Sequence, residues 1–235
     1  MTGRTFLARY GYLYCLVLAL ILLSAAALRH TVETVSAGQA MMGTVRIVID
    51  AGHGGMDSGT TSVSGMPEKT VNLQIARRLE KLRLLLGRKP VMTRTGEDSI
   101  HTEGETIREQ KRSDLNNRLA IIHARENSLL VSIHQNHFPD PRYTGPQVFA
   151  AGDETSRLFA QTLQRRLNTA LGTAREWKVA SGVYLMERLA CPGVLVECGF
   201  LSNPGEDQKL QTPEYQKALC CILACALMEY GSSPS

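Results

Sequence analysis

Short apolar runs that break at glycine or at a polar turn alternate along this chain with stretches of helical period, and that alternation restricts the fold more than any other feature. Val45–Asp50 (VRIVID) is followed by Gly52 and reads as a buried strand. Pro67–Leu86 then carries Val71, Ile75, Leu79, Leu82 and Leu86 along one helical face, with Gly87 as the C-cap. Lys89–Arg94 (KPVMTR) is expected as a second strand, and the polar residues 95–110 as a loop. Helical spacing returns over Lys111–Asn127, and Leu129–His134 (LLVSIH) reads as the third strand. Gln147–Ala151 is expected as a fourth strand, after a loop holding Pro139, Asp140, Pro141 and Gly145. A helix over Glu154–Leu171, a buried strand at Gly193–Cys198 (GVLVEC) and a closing helix over Pro213–Tyr230 complete the pattern. Strands alternating with helices predict an α/β fold: a three-layer single domain with a mainly parallel sheet flanked by helices.

An apolar segment precedes that domain. Arg4 and Arg9 stand before an uncharged run from Tyr10 to Leu28, about 19 residues and so at the length needed to cross a bilayer core. Residues 1–28 therefore read as a signal peptide, with Ala25, Ala26 and Ala27 before a cut, or as an uncleaved membrane anchor. In both cases the arginines stay in the cytoplasm and the remainder is exported. Residues 29–44 read as a polar linker and residues 45–231 as the folded domain. The net charge of +4 is mild, and no basic patch interleaved with aromatics or nucleic-acid motif accompanies it, so nucleic acid is excluded as a partner. The six cysteines include no CxxC pair. They read as small buried apolar residues, a Cys191–Cys198 bridge being the alternative.

Ligands of open α/β sheets bind outside the carboxyl ends of the strands. His53 follows the first strand, His134 ends the third, and Glu197 lies at the end of the GVLVE run, so all three fall on one edge. The turn Asp50-Ala-Gly-His-Gly-Gly lets backbone approach a ligand closely, yet it lacks the Lys-Ser/Thr of a phosphate-binding loop. Glu68, directly after Pro67, is an ordinary helix-start residue when taken alone. Combined with His53 and His134 it completes two imidazoles and one carboxylate, a zinc set that leaves a position open for water. His137 is an alternative third ligand, ranked below His134 because it falls in the following loop; His30, His101 and His123 have no partner pattern. Glu197 follows nonpolar residues, and a buried carboxylate needs a cation, a hydrogen-bond network or a role in proton transfer.

The blocks IVIDAGHGGMDSG, EKTVNLQIA, VSIHQN and VLVECGFLSNP resemble, in order and spacing, the zinc-dependent N-acetylmuramoyl-L-alanine amidase family of the amidase-3 type, over Val45 to about Tyr230. The resemblance implies one Zn2+ per chain on His53, Glu68 and His134, with Glu197 as the catalytic glutamate. It implies hydrolysis of the amide between N-acetylmuramic acid and L-alanine in bacterial peptidoglycan, by a zinc-held water whose proton Glu197 takes and passes to the leaving amine. Segments VMTR, RLAII and CGFLSN are most similar to the CwlD-type amidases of spore formers, which implies a role in spore cortex maturation or germination. Asp50 is expected either to orient a ligand histidine or to cap the glycine turn. Asn136 and Asn203 are expected to line the cleft, and Arg118 to be a surface or structural residue. Ala51 stands where proline is common in the family. Some members carry an inhibitory insertion before the last conserved strand; the segment from Ala151 to Gly182 holds little more than one helix, which leaves control to an activating partner protein or to metal occupancy. The remaining expected partners are the peptidoglycan substrate and, if the N-terminal segment is uncleaved, the membrane, with the domain on its outer face or in the wall or cortex. A carboxypeptidase would use the same metal chemistry, and a wall-binding protein would need none.

Overall fold

The computed structural model describes residues 17–24, 45–124 and 126–231. Residues 17–24 are helical with exposed side chains. The rest of the apolar run, the linker at 29–44, and with them the signal-or-anchor reading, lie outside the described residues. Among the described residues no helix is long and apolar enough to cross a membrane.

From Val45 onward the chain forms one compact unit. Its elements are β1 (Arg46–Ala51), α1 (Glu68–Leu85), β2 (Val91–Met92), α2 (Ile107–His123), β3 (Ser128–Asn136), β4 (Gln147–Ala150), α3 (Glu154–Leu171), β5 (Lys178–Val179), α4 (Tyr184–Glu187), β6 (Gly193–Phe200), α5 (Pro204–Leu210) and α6 (Pro213–Tyr230). They build a six-stranded sheet in the order β2-β1-β3-β6-β4-β5. The first four of these run parallel. β4 is antiparallel to β6, and β5 follows β4.

Alternation along the strands sorts the core into two layers. Ile47 and Ile49, Val131 and Ile133, and Val194 and Val196 meet Val71, Ile75 and Leu79 of α1, Phe159 and Leu163 of α3, and Leu219 and Leu223 of α6. On the other face Val48, Leu130 and Leu195 meet Ile122 of α2 and Leu185 and Met186 of α4. The expected three layers are present. Each fully buried Leu or Ile here contributes about 1.5–3 kcal/mol relative to exposure.

Several boundaries differ from the sequence expectation. Residues 95–110 are not all loop: α2 starts at Ile107, where Thr106 and Glu109 form a reciprocal capping box, and it ends at His123. β2 has only two residues, whereas β3 and β6 extend to Asn136 and Phe200. The short α4, α5 and β5 have no counterpart in the apolar pattern. All five described cysteines are free, so Cys191 and Cys198 form no bridge; Cys198 and Cys220 are buried, but Cys221 and Cys225 are exposed on α6.

Candidate metal centre

β1 delivers His53 into its turn with φ 62°, a left-handed conformation uncommon for a residue with a side chain. Two arginines hold that turn by its backbone. Arg94 donates from Nε to the Ala51 carbonyl (2.8 Å) and from Nη2 to the Gly52 carbonyl (3.0 Å). Arg118 donates from Nη1 to the Ala51 carbonyl (2.7 Å) and from Nη2 to the His53 carbonyl (2.7 Å). Three consecutive carbonyls thus accept from guanidinium groups, which fixes the strained residue.

Arg118 is itself fixed by carboxylates. Its Nε donates to Asp114 at 2.7 Å and its Nη1 to Asp50 at 2.6 Å. It is structural and buried, at 1% exposure, rather than a surface residue. Asp50 also accepts from the hydroxyls of Thr93 and Ser132, each at 2.6 Å. Burial alone would raise the Asp50 carboxyl; the Arg118 charge and the two hydroxyls outweigh it and bring its pKa down to about 2. The hold of Asp50 on His53 therefore runs through Arg118 and the turn. For Arg94 burial dominates, reinforced by the nearby Arg118 charge, and brings the pKa down to about 10.

Glu68 begins α1 with its carboxylate almost sealed, at 4% exposure. Its Oε1 accepts from the Gln135 N–H (3.1 Å) and the Asn72 amide (3.2 Å), and its Oε2 from the Thr60 N–H (3.1 Å). The His134 Nδ1 lies 3.1 Å from Oε1, and the His53 Nε2 lies 3.3 Å from Oε2. The two imidazoles stand edge to face with centroids 4.9 Å apart. One donor atom from each of His53, Glu68 and His134 lies within 4.8 Å of the other two. Two imidazoles and one carboxylate grouped this closely could hold a metal ion, and their chemistry suits zinc. His137 is exposed and stands outside that group.

Two glycines make the approach feasible. A Cβ on Gly52 would sit 2.2 Å from the His134 Nε2. One on Gly59, at φ 66°, would sit 2.5 Å from the Glu68 Oε2. Asp57 reaches His53 from the open side: its Oδ2 lies 2.9 Å from Nδ1, a charge contact without hydrogen-bond alignment, and 2.9 Å from the Lys111 ammonium. Burial pulls the His53 pKa down, but Asp57 and Glu68 outweigh it and raise it to about 9. In Glu68 the burial penalty is overcome by His134 and His53, which hold the carboxyl well below the usual range.

Glu197 lies on β6 opposite His134 in the parallel register. Its Oε2 is sealed and has no hydrogen-bond partner among the described residues. Burial pushes the carboxyl up, the His134 charge opposes this, and the balance is about 7. Hydrogen-bond donors among the described residues leave this oxygen unsatisfied, as expected of a carboxylate whose partner is not a protein group. Asn136 ends β3, where its carbonyl accepts from the Leu201 N–H at 2.8 Å. Asn203 caps α5 and donates to the Pro141 carbonyl at 2.6 Å, so it ties down the loop after β3. Arg94, Asn72, Asp57 and Gln135 belong to the site, yet the sequence reading did not single them out. The one local cue was the i, i+4 spacing of Glu68 and Asn72 on a helix.

The N-acetylmuramoyl-L-alanine amidase family of the amidase-3 type matches residues 47–227. The chain is 34% identical over 191 residues to the germination-specific N-acetylmuramoyl-L-alanine amidase of Bacillus subtilis (strain 168), covering 78% of each. Among solved structures it is similar to the CwlD amidase from Clostridioides difficile in complex with the GerS lipoprotein: TM-score 0.75, 32% identity, 79% of this chain and 97% of that one. An N-acetylmuramoyl-L-alanine amidase from Clostridium difficile 630 superposes with TM-score 0.70 at 28% identity, over 82% of this chain and 99% of that one.

Proposed function

The chain belongs to the N-acetylmuramoyl-L-alanine amidase family, hydrolases of peptidoglycan, and on that premise we propose that it cuts the amide between N-acetylmuramic acid and L-alanine with one zinc held by His53, Glu68 and His134. The observation that carries this reading is the convergence of those three donors beside the unpartnered Oε2 of Glu197. Zinc bound there supplies Lewis acidity, lowering the pKa of water and stabilising negative charge on an amide oxygen. Glu197 takes the proton of the attacking water and returns it to the departing amine of L-alanine. Arg94 and Arg118 hold the His53 turn in place through its carbonyls. Asn72 and the Gln135 N–H keep the Glu68 carboxylate turned toward the two histidines.

Likeness to a germination-specific amidase and to CwlD supports a role in spore cortex maturation or germination. The CwlD complex with a lipoprotein supports an activating partner protein for this chain as well. The apolar segment at residues 1–28 serves as signal peptide or anchor, 29–44 as linker, and 45–231 as the exported catalytic domain.

Mass analysis of muropeptides after incubation with the purified protein tests the bond. Free L-alanine amino groups and peptide-free muramic acid are expected, with no new reducing ends. Release of terminal D-alanine would make the protein a carboxypeptidase instead. Elemental analysis should give about one zinc per chain, lost in His134→Ala and kept in His137→Ala. The reverse pattern would move the third ligand to His137.

A further inference from the structure

The strand order gives the cleft a direction. The metal set stands on β1, α1 and β3, and Glu197 stands on β6. A substrate whose carbonyl lies over the metal set and whose leaving amine meets Glu197 must run on past β6 toward β4. Gln147 of β4 pairs with Glu197 in the antiparallel register. Beyond it stands Arg175, whose Nη2 donates to the Gln147 Oε1 at 2.7 Å.

Arg175 is bracketed by aromatic rings. Its guanidinium carbon lies 5.1 Å from the Phe200 ring centroid and 5.6 Å from that of Tyr143. Tyr143 packs edge to face on Phe138 at 4.6 Å. Both rings remain open, at 42% and 45% exposure. The loop that carries them is built rather than loose: Ser202 accepts from the Phe138 N–H at 3.0 Å and Glu206 accepts from the Gly145 N–H at 2.8 Å. Glu206 also accepts from the Phe200 N–H at 2.8 Å, so its two oxygens serve the backbone. None of the ion pairs among the described residues involves Arg175. Its Nε is buried and has no partner there either. A half-buried cation held by Gln147, the strand partner of Glu197, and with no carboxylate of its own, suits an anionic ligand.

Resting on the amidase reading, we propose that Arg175, with Phe138 and Tyr143, forms the subsite for the leaving peptide and selects stems whose second residue carries a free carboxylate. The rings take the apolar backbone of the peptide, and the guanidinium takes the carboxylate.

The test compares two substrates, N-acetylmuramyl-L-alanyl-D-glutamate with the α-carboxylate free and the same compound with that group as a carboxamide. The zinc-loaded full chain, in mild detergent, should show a KM about tenfold or more lower for the acid form, the size of one charge-assisted contact. Arg175→Gln should raise the KM of the acid form to that of the amide, with kcat within about threefold. Arg175→Lys should keep part of the preference, and that retained preference guards against a variant that merely packs badly. An unchanged KM ratio in Arg175→Gln would overturn the proposal and make Arg175 a packing residue. Equal KM values in the unaltered protein would overturn the subsite alone and leave the amidase standing. Cleavage of neither compound would overturn both.

Discussion

Single residues carry the chemistry, and two of them make separable predictions. In Glu197→Gln the side chain keeps its size and loses its ability to accept a proton. Zinc content and fold should be retained while kcat falls by about 10²–10⁴. Activity within a few-fold of the unaltered protein would remove Glu197 from the mechanism. Asp50 tests the support beneath the site. Its folded pKa of about 2 is depressed from 3.8, so its stabilising effect is fully present above about pH 4 and is lost as pH falls through about 2. Asp50→Asn leaves Arg118 buried with Asp114 as its remaining carboxylate, which should cost on the order of 3 kcal/mol at neutral pH. Urea unfolding from pH 7 to pH 2 should show the two proteins converging in acid. A constant difference across that range would mean that the charge at Asp50 contributes nothing.

At the scale of elements, legibility follows burial. β1, β3 and β6 are covered on both faces, so they stand out as apolar runs; α1, α3 and α6 each turn an apolar stripe to the core. α2 lies four residues earlier than the expected Lys111–Asn127, because its buried residues are Ser113, Asp114, Arg118 and Ile122, a mostly polar set that blurs the hydrophobic periodicity. Its first residue, Ile107, is 58% exposed. The Thr106–Glu109 capping box was present in the sequence and would have placed the start. β5 is exposed and two residues long, too short for any period. His53 and His134 are legible because strand ends converge on one edge; Glu68, at the start of α1, stands out only in combination with them. Arg94 and Arg118 are not legible, because what they recognise is backbone carbonyl oxygen more than forty residues away in the chain, which leaves no mark on side-chain identity. The β1 turn also yields a prediction. Gly52→Ala would drive a Cβ into the His134 ring, so zinc content should fall sharply while the far-ultraviolet circular dichroism stays near that of the unaltered protein. Full zinc occupancy in Gly52→Ala would show that the ring has room to move.

For the whole molecule, the proposed export of the catalytic domain rests on Arg4 and Arg9 standing before the apolar run, and it is open to a direct test. A reporter fused after residue 44 should be reached by externally added protease in intact cells. Protection from that protease, with the reporter soluble inside, would contradict export.

The sheet changes direction at β4. Because β4 runs against β6, α3 starts at the amino edge of the parallel strands and its last turn returns to the edge where Glu197 stands. The connection after it, residues 172–177, is therefore a rim, anchored by the Asn168 amide on the Arg175 carbonyl at 2.7 Å. Residues added to this connection would meet the mouth of the cleft before they met any core side chain. Access and catalysis are therefore separable by construction: a longer connection here would stand at the cleft mouth, while the buried arginine scaffold under His53 would be left untouched.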